Sequence, residues 1–283
     1  MPGSGAETGG LGPHEVSAVM AGVGYVVPPE VVTAAVSPDG VRAMGFLVSR
    51  TRAFEVWRLW RERHAVGSGW YPVLSEVNPR QLVWNAPDAI PRGGREAVVS
   101  AVSRNPDEII DEIMAAFLVD ALDKSADQEA MDEWIAELTP QRLAESLAGP
   151  LSAPRPGDPW KGSLSWDPEF WFCLVEARHG YELPVLLPGL PHTPNWWVDE
   201  VQRGLEPSDH LAFLRSWHER FGADPYYMDG SNMRLAVDRP PLTPEAAARA
   251  AVERYSYCCD NSPDLPVLGD GEIRSTVWTF WWD

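Results

Sequence analysis

Three cysteines in a chain of 283 residues are too few for a disulfide framework, and so sparse and odd a set of thiols suits a reducing cytoplasm. The adjacent Cys258 and Cys259 offer a strained vicinal disulfide or one metal ligand, against the plainer expectation of two small buried thiols. Positive charge is also short: 23 Lys and Arg against 41 Asp and Glu leave a net charge of −18. Such a field repels phosphate backbones and anionic lipid, so neither nucleic acid nor a membrane surface is an expected partner. Long apolar runs are missing. Stretches such as "FWFCLV" fall far short of the roughly 20 residues needed to cross a bilayer. The opening "MPGSGAETGGLGPHE" has neither the basic start nor the apolar core of a secretory signal, and residues 1–15 read as a flexible tail.

Familiar catalytic signatures are absent as well. There is no phosphate-loop glycine–lysine pattern, no GxGxxG after a strand, no GxSxG elbow and no HExxH. The six histidines are scattered. His210 and His218 share a predicted helix but sit about 80° apart around its axis, poor geometry for one metal. No metal or cofactor is expected, and His218 reads as a boundary residue beside Trp217 rather than as a base.

What remains is a globular composition, 45% hydrophobic and 23% charged, punctuated by 27 prolines and 23 glycines. "VRAMGFLVSR" predicts a strand. "TRAFEVWRLWRERH" predicts a helix, with Thr51 as cap and Phe54, Trp57, Trp60 and His64 at helical spacing; "WYPVLSEV" predicts the next strand, in a parallel pairing with the first. An acidic segment follows. Twelve acids lie between Asn105 and Glu145 against Lys124 and Arg142, more than half of the net charge. They fall mainly off two apolar helical stripes, one through Ile109, Ile113 and Phe117, the other through Met131, Trp134, Ile135 and Leu138, with Pro140 ending or bending the second helix. These regions define an N-terminal α+β part, residues 16–150, and a Pro/Gly-rich linker, residues 151–168.

Residues 169–283 form the predicted C-terminal domain. "EFWFCLVEAR" and "ELPVLLPG" read as strands around an "HGY" turn, and "PSDHLAFLRSWHERFGA" as a helix stopped by Gly222. "DPYYMDGSNMRLAVDRP" reads as a hairpin turned at Asp229-Gly230, "LTPEAAARAAVERYSYCCD" as a helix capped by Thr243, and "VWTFWWD" as a strand covered on both faces. "RLWRERH" (Arg58 to His64) and "RSWHERF" (Arg215 to Phe221) share Arg, Trp, Glu and Arg at matching positions before a glycine break, which suggests a duplicated unit. The expected fold class is α+β: a mixed sheet covered by helices, in two related halves around the acidic helical insert.

Fourteen tryptophans are the unusual resource. Trp57, Trp60, Trp134 and Trp217 sit in helical stripes and suit a core, whereas Trp196 and Trp197 lie in or beside loops that can line a site. Glu219 and Glu253, on helices near aromatics, suit either raised-pKa acid work or salt bridges to Arg220, Arg215 or Arg254.

The stretches "LRSWHERFGADPYYM" and "LAVDRPPLTPEAAARAAVERYSYCCD" and the terminal "WTFWWD" together resemble the bacterial family called domain of unknown function 4253, over about residues 170–283. Cys259 stands where that family's pattern has proline. The resemblance implies no catalysis, but it directs attention to the Trp217 helix and to the end of the alanine-rich helix. Candidate ligand contacts are Trp217, Glu219, Tyr255, Cys258 and Asp260, with Trp196 and Trp197. Asp260 would accept a hydrogen bond, Tyr255 would stack or donate, and Cys258 would fill space rather than attack. The functional expectation is a non-enzymatic cytoplasmic binding, regulatory or immunity-type protein for a basic protein partner. The alternative is a small-molecule hydrolase with a Trp-lined pocket between the halves.

Overall fold

The computed structural model describes residues 11–65, 67–84, 94–111, 140–147, 154–160, 168–187, 190–191, 205–258 and 271–282. Seven strands within them form one sheet, ordered β1-β2-β4-β3-β5-β6-β7. They are β1 (Thr33–Val36), β2 (Arg42–Ser49), β3 (Tyr71–Ser75), β4 (Glu169–Val175), β5 (Ala223–Met228), β6 (Asn232–Val237) and β7 (Val277–Trp281). Neighbours are antiparallel except β3 and β5, which run parallel with Leu74 opposite Tyr227. The class is α+β with a mixed sheet, as expected.

The helix Arg50–Ala65 joins β2 to β3, but these two strands do not pair with each other. β4 lies between them, antiparallel to both. The expected parallel pairing is therefore corrected to a split arrangement. The physical reason lies in β4, which is apolar on both faces: Phe170, Phe172 and Leu174 point to one side, Cys173 and Val175 to the other. A strand of that kind is most stable in the interior of a sheet.

Helices cover both faces. Pro13–Gly22, which the sequence patterns did not suggest, packs Val16 and Met20 on the same side as Trp57 and Trp60 of the Arg50–Ala65 helix. The opposite face carries Pro207–Phe221 and Pro244–Tyr257, through Phe213, Leu214, Trp217, Ala247, Ala250 and Ala251. Thr243 caps the second of these by accepting from Ala246 N at 3.2 Å, and Pro244 occupies its first turn.

Three local expectations change. The first five residues of "ELPVLLPG" are helical: Gly180–Glu182 is a 3-10 turn continued by the helix Leu183–Leu186. A short apolar run does not reveal its own period, and Pro184, in the first turn, suits a helix start. The Arg50–Ala65 helix begins before Thr51, which lies inside its first turn rather than capping it. Among the described residues β7 pairs only with β6 and lies at the edge of the sheet. Trp278, Phe280 and Trp282 are fully buried on its inner face; on the other, Val277 is buried but Thr279 and Trp281 are only half-buried, so the cover there is partial.

The hairpin turns as expected: Asp229 accepts from Ser231 N (3.0 Å) and Asn232 N (2.8 Å) between β5 and β6. In the acidic segment, Ile109 and Ile110 are buried while Asp107, Glu108 and Asp111 are exposed. Residues 140–147 form a helix that starts at Pro140. The stripes between 112 and 139 fall outside the described residues. From residues 151–168, Arg155 bridges Ser275, and Trp160 stacks on Phe170 with ring centres 5.1 Å apart.

Candidate functional site

Each of the two similar heptapeptides closes a helix, and each helix is followed by a glycine and then by a strand, β3 or β5. The helices lie on opposite faces, yet their C-terminal turns meet at one end of the sheet. Gly222, at φ +60°, reverses the chain after Phe221 with its N–H on His218 O at 2.8 Å. The positive φ strains any residue with a Cβ. Asp224, two residues later, is thereby held under the helix that has just ended.

Asp224 is nearly buried and bound on both oxygens. His218 Nδ1 donates to Oδ1 at 2.7 Å, and Arg61 Nε donates to Oδ2 at 2.8 Å. Arg61 also clasps Asp238, with Nη1 on Oδ1 at 2.9 Å and Nη2 on Oδ2 at 2.6 Å. Such bidentate, charge-assisted contacts fix geometry as well as energy. Around this centre lies a cleft of about 830 Å³, with Trp57, Tyr71, His64, Arg178 and His179 in its lining. Gly180 belongs to it too, because a Cβ there would lie 2.3 Å from the Tyr71 ring. Tyr71 donates to Pro225 O at 2.9 Å, and Trp57 Nε1 to Pro72 O at 2.9 Å, so both walls are pinned.

The ionisable groups are driven apart. Burial alone would push the Asp224 carboxyl up, but the hydrogen bond from His218 and the Arg61 guanidinium outweigh it and hold it below the ordinary carboxylate range. The hydrogen bond to Asp224 raises His218 above the usual imidazole value, although partial burial opposes it. His179 moves the other way, lowered by desolvation; its ring stacks on Tyr181 at 4.6 Å and stands 5.9 Å from the His218 ring. His64 donates from Nε2 to Arg178 O at 2.7 Å, and its buried Nδ1 has no hydrogen-bond partner among the described residues.

The residues singled out from sequence lie elsewhere or outside the described residues. Trp217 is core: Nε1 donates to Glu253 Oε2 at 2.9 Å, and its ring stacks on Phe280 at 5.5 Å. Glu253 also holds Arg220 (2.6 Å) and Arg249 (3.0 Å), the salt-bridge role. Glu219 is exposed and Tyr255 is half-buried against the core. Cys258 is a buried thiol whose Sγ donates to Trp281 O at 3.0 Å. Cys259, Asp260, Trp196 and Trp197 lie outside the described residues. Sequence reasoning passed over Asp224 and Arg61 and placed His218 at a boundary. The one signal for them was the heptapeptide similarity itself, which aligns Arg61 with His218.

Fold and site together define an α+β protein with a polar cleft at the end of a mixed sheet. Residues 172–283 match the family model Domain of unknown function (DUF4253). The match supplies His179, His218, Asp224 and Asp238 to the cleft, whereas Arg61, His64 and Tyr71 come from outside it. No curated protein and no solved structure matches the chain. Among the described residues no helix is long and apolar enough to cross a membrane.

Proposed function

We propose that the protein is a cytoplasmic hydrolase that takes a small polar molecule into the Asp224 cleft, with His218 as proton donor and His179 as proton acceptor. The observation that carries this reading is geometric: in one cleft the His218 ring, held by Asp224 at 2.7 Å, stands 5.9 Å from the solvent-exposed His179 ring, and the carboxylate raises the first while partial desolvation lowers the second. Environments that push neighbouring titrating groups apart assign the acid and the base. His179 would take a proton from water as its oxygen bonds the substrate's electrophilic centre, and His218 would protonate the departing atom. Asp224 would orient His218 and stabilise its imidazolium, with Arg61 fixing Asp224. An NMR titration of the imidazoles, with a bell-shaped pH–rate profile on a panel of esters, amides and phosphate esters, tests it. Two histidines titrating together near pH 6.5, or turnover unaffected by His218→Gln, would exclude it.

A second reading, a non-enzymatic regulatory or immunity-type protein for a basic protein partner, is favoured by the net charge of −18 and the exposed Glu108 and Asp111. On that reading association slows when Glu108 and Asp111 are neutralised, and added salt weakens it. A pull-down with Glu108→Gln and Asp111→Asn that loses no partner argues against it.

A further inference from the structure

Resting on the acid–base reading of the cleft, we infer that its ligand is a small organic anion, held through a carboxylate or phosphate group by Arg58 and Arg178. Three arginines line the cleft: Arg58, Arg61 and Arg178. Arg61 is spent on Asp224 and Asp238. With His218 it also offsets the partial negative charge of the two helix C-termini that converge there. Arg58 and Arg178 are different: both are exposed, and among the described residues neither guanidinium has a carboxylate partner.

Arg178 is nevertheless held in place, because its N–H donates to Glu182 Oε2 at 2.8 Å and its carbonyl accepts from His64. Arg61 bridges Asp224 and Asp238, so the three lining arginines are matched by three lining carboxylates, and of these only Glu62 is left to face Arg58 and Arg178. A cleft lining whose fixed charges balance, in a chain of net charge −18, stands apart from the field of the whole molecule. Free guanidinium groups at the mouth of a cleft match the geometry of carboxylate and phosphate oxygens, which they bind in bidentate fashion.

Calorimetric titration of the full chain with phenyl phosphate and with benzoate, using benzyl alcohol as the neutral counterpart, tests the inference. Saturable one-site binding of the two anions and none of the alcohol is expected. The Arg58→Gln/Arg178→Gln double variant should keep its circular dichroism, since both side chains are exposed, and should bind at least about tenfold more weakly. Absence of saturable binding, equal affinity for benzyl alcohol, or unchanged affinity in the double variant (an adventitious ion only) would overturn the inference. The imidazole titration is run without any anion, so the acid–base reading and the anion assignment fail independently.

Discussion

Arg61 and His218 occupy matching positions in the two similar heptapeptides and bind opposite oxygens of Asp224, Arg61 Nη2 at 2.7 Å from Oδ2 and His218 Nδ1 at 2.7 Å from Oδ1. The two units are joined to the sheet differently. β2 and β3 run in the same direction on either side of β4, whereas β4 and β5 run in opposite directions on either side of β3. The helices consequently cover opposite faces, and only their ends converge. One carboxylate clamps both ends.

Asp224→Asn should destabilise the protein by about 3 kcal/mol, the lower end for breaking a buried ion pair, since Arg61 keeps Asp238. The loss should depend on pH. His218 is raised on folding, so its share is fully present below its ordinary value of 6.5 and disappears as pH climbs through the raised one. Asp224 is depressed, so its share is present above its ordinary value of 3.8 and disappears as pH falls through the lowered one. The difference between parent and variant in urea denaturation should therefore be largest between about pH 4 and 6.5 and smaller at pH 9. An equal difference at pH 5.5 and 9 would rule out the imidazolium contribution.

Glu253→Ala should cost about 3 kcal/mol, because it strands the buried Trp217 N–H and takes from Arg220 its carboxylate, while Arg249 keeps Asp107. Glu219→Ala, at an exposed position, should stay within about 0.5 kcal/mol. Comparable effects of the two substitutions on thermal melting would contradict the assignment of Glu253 as a structural hub.

Trp278→Ala should cost about 3–5 kcal/mol, since Trp278 is fully buried against Trp217 and Phe221. Deleting Trp278–Asp283 removes three buried rings and one of the two strands that pair with β6, and should abolish soluble folding. A truncated protein that melts like the parent would refute the burial.

Cys173 and Cys258 should resist alkylation in the native state near neutral pH. Burial pushes the Cys173 thiol far up, and Cys258 is enclosed with its Sγ on Trp281 O. All three cysteines should react in denaturant. Rapid labelling of Cys258 in the folded protein, with loss of measured activity, would move attention from the Asp224 cleft to the end of the Pro244–Tyr257 helix.

Most of the local structure was determined by the sequence alone. The stripe Phe213, Leu214, Trp217 and Phe221, the Thr243-Pro244 helix start, the Asp229-Gly230 turn and the alternating rings of the last strand follow from periods of 3.6 and 2 and from backbone preferences that act over a few residues. Tertiary structure decided which strand neighbours which, and with it the cleft. β4 enters between β2 and β3 from some ninety residues further along the chain because its two apolar faces need cover, a requirement no local window expresses. Asp224 looks like any loop-edge acid in sequence. It becomes the centre of the cleft only when residues 163 positions away bring Arg61 to its second oxygen. A charge is worth binding once burial lowers the surrounding dielectric, and burial is a property of the assembled fold.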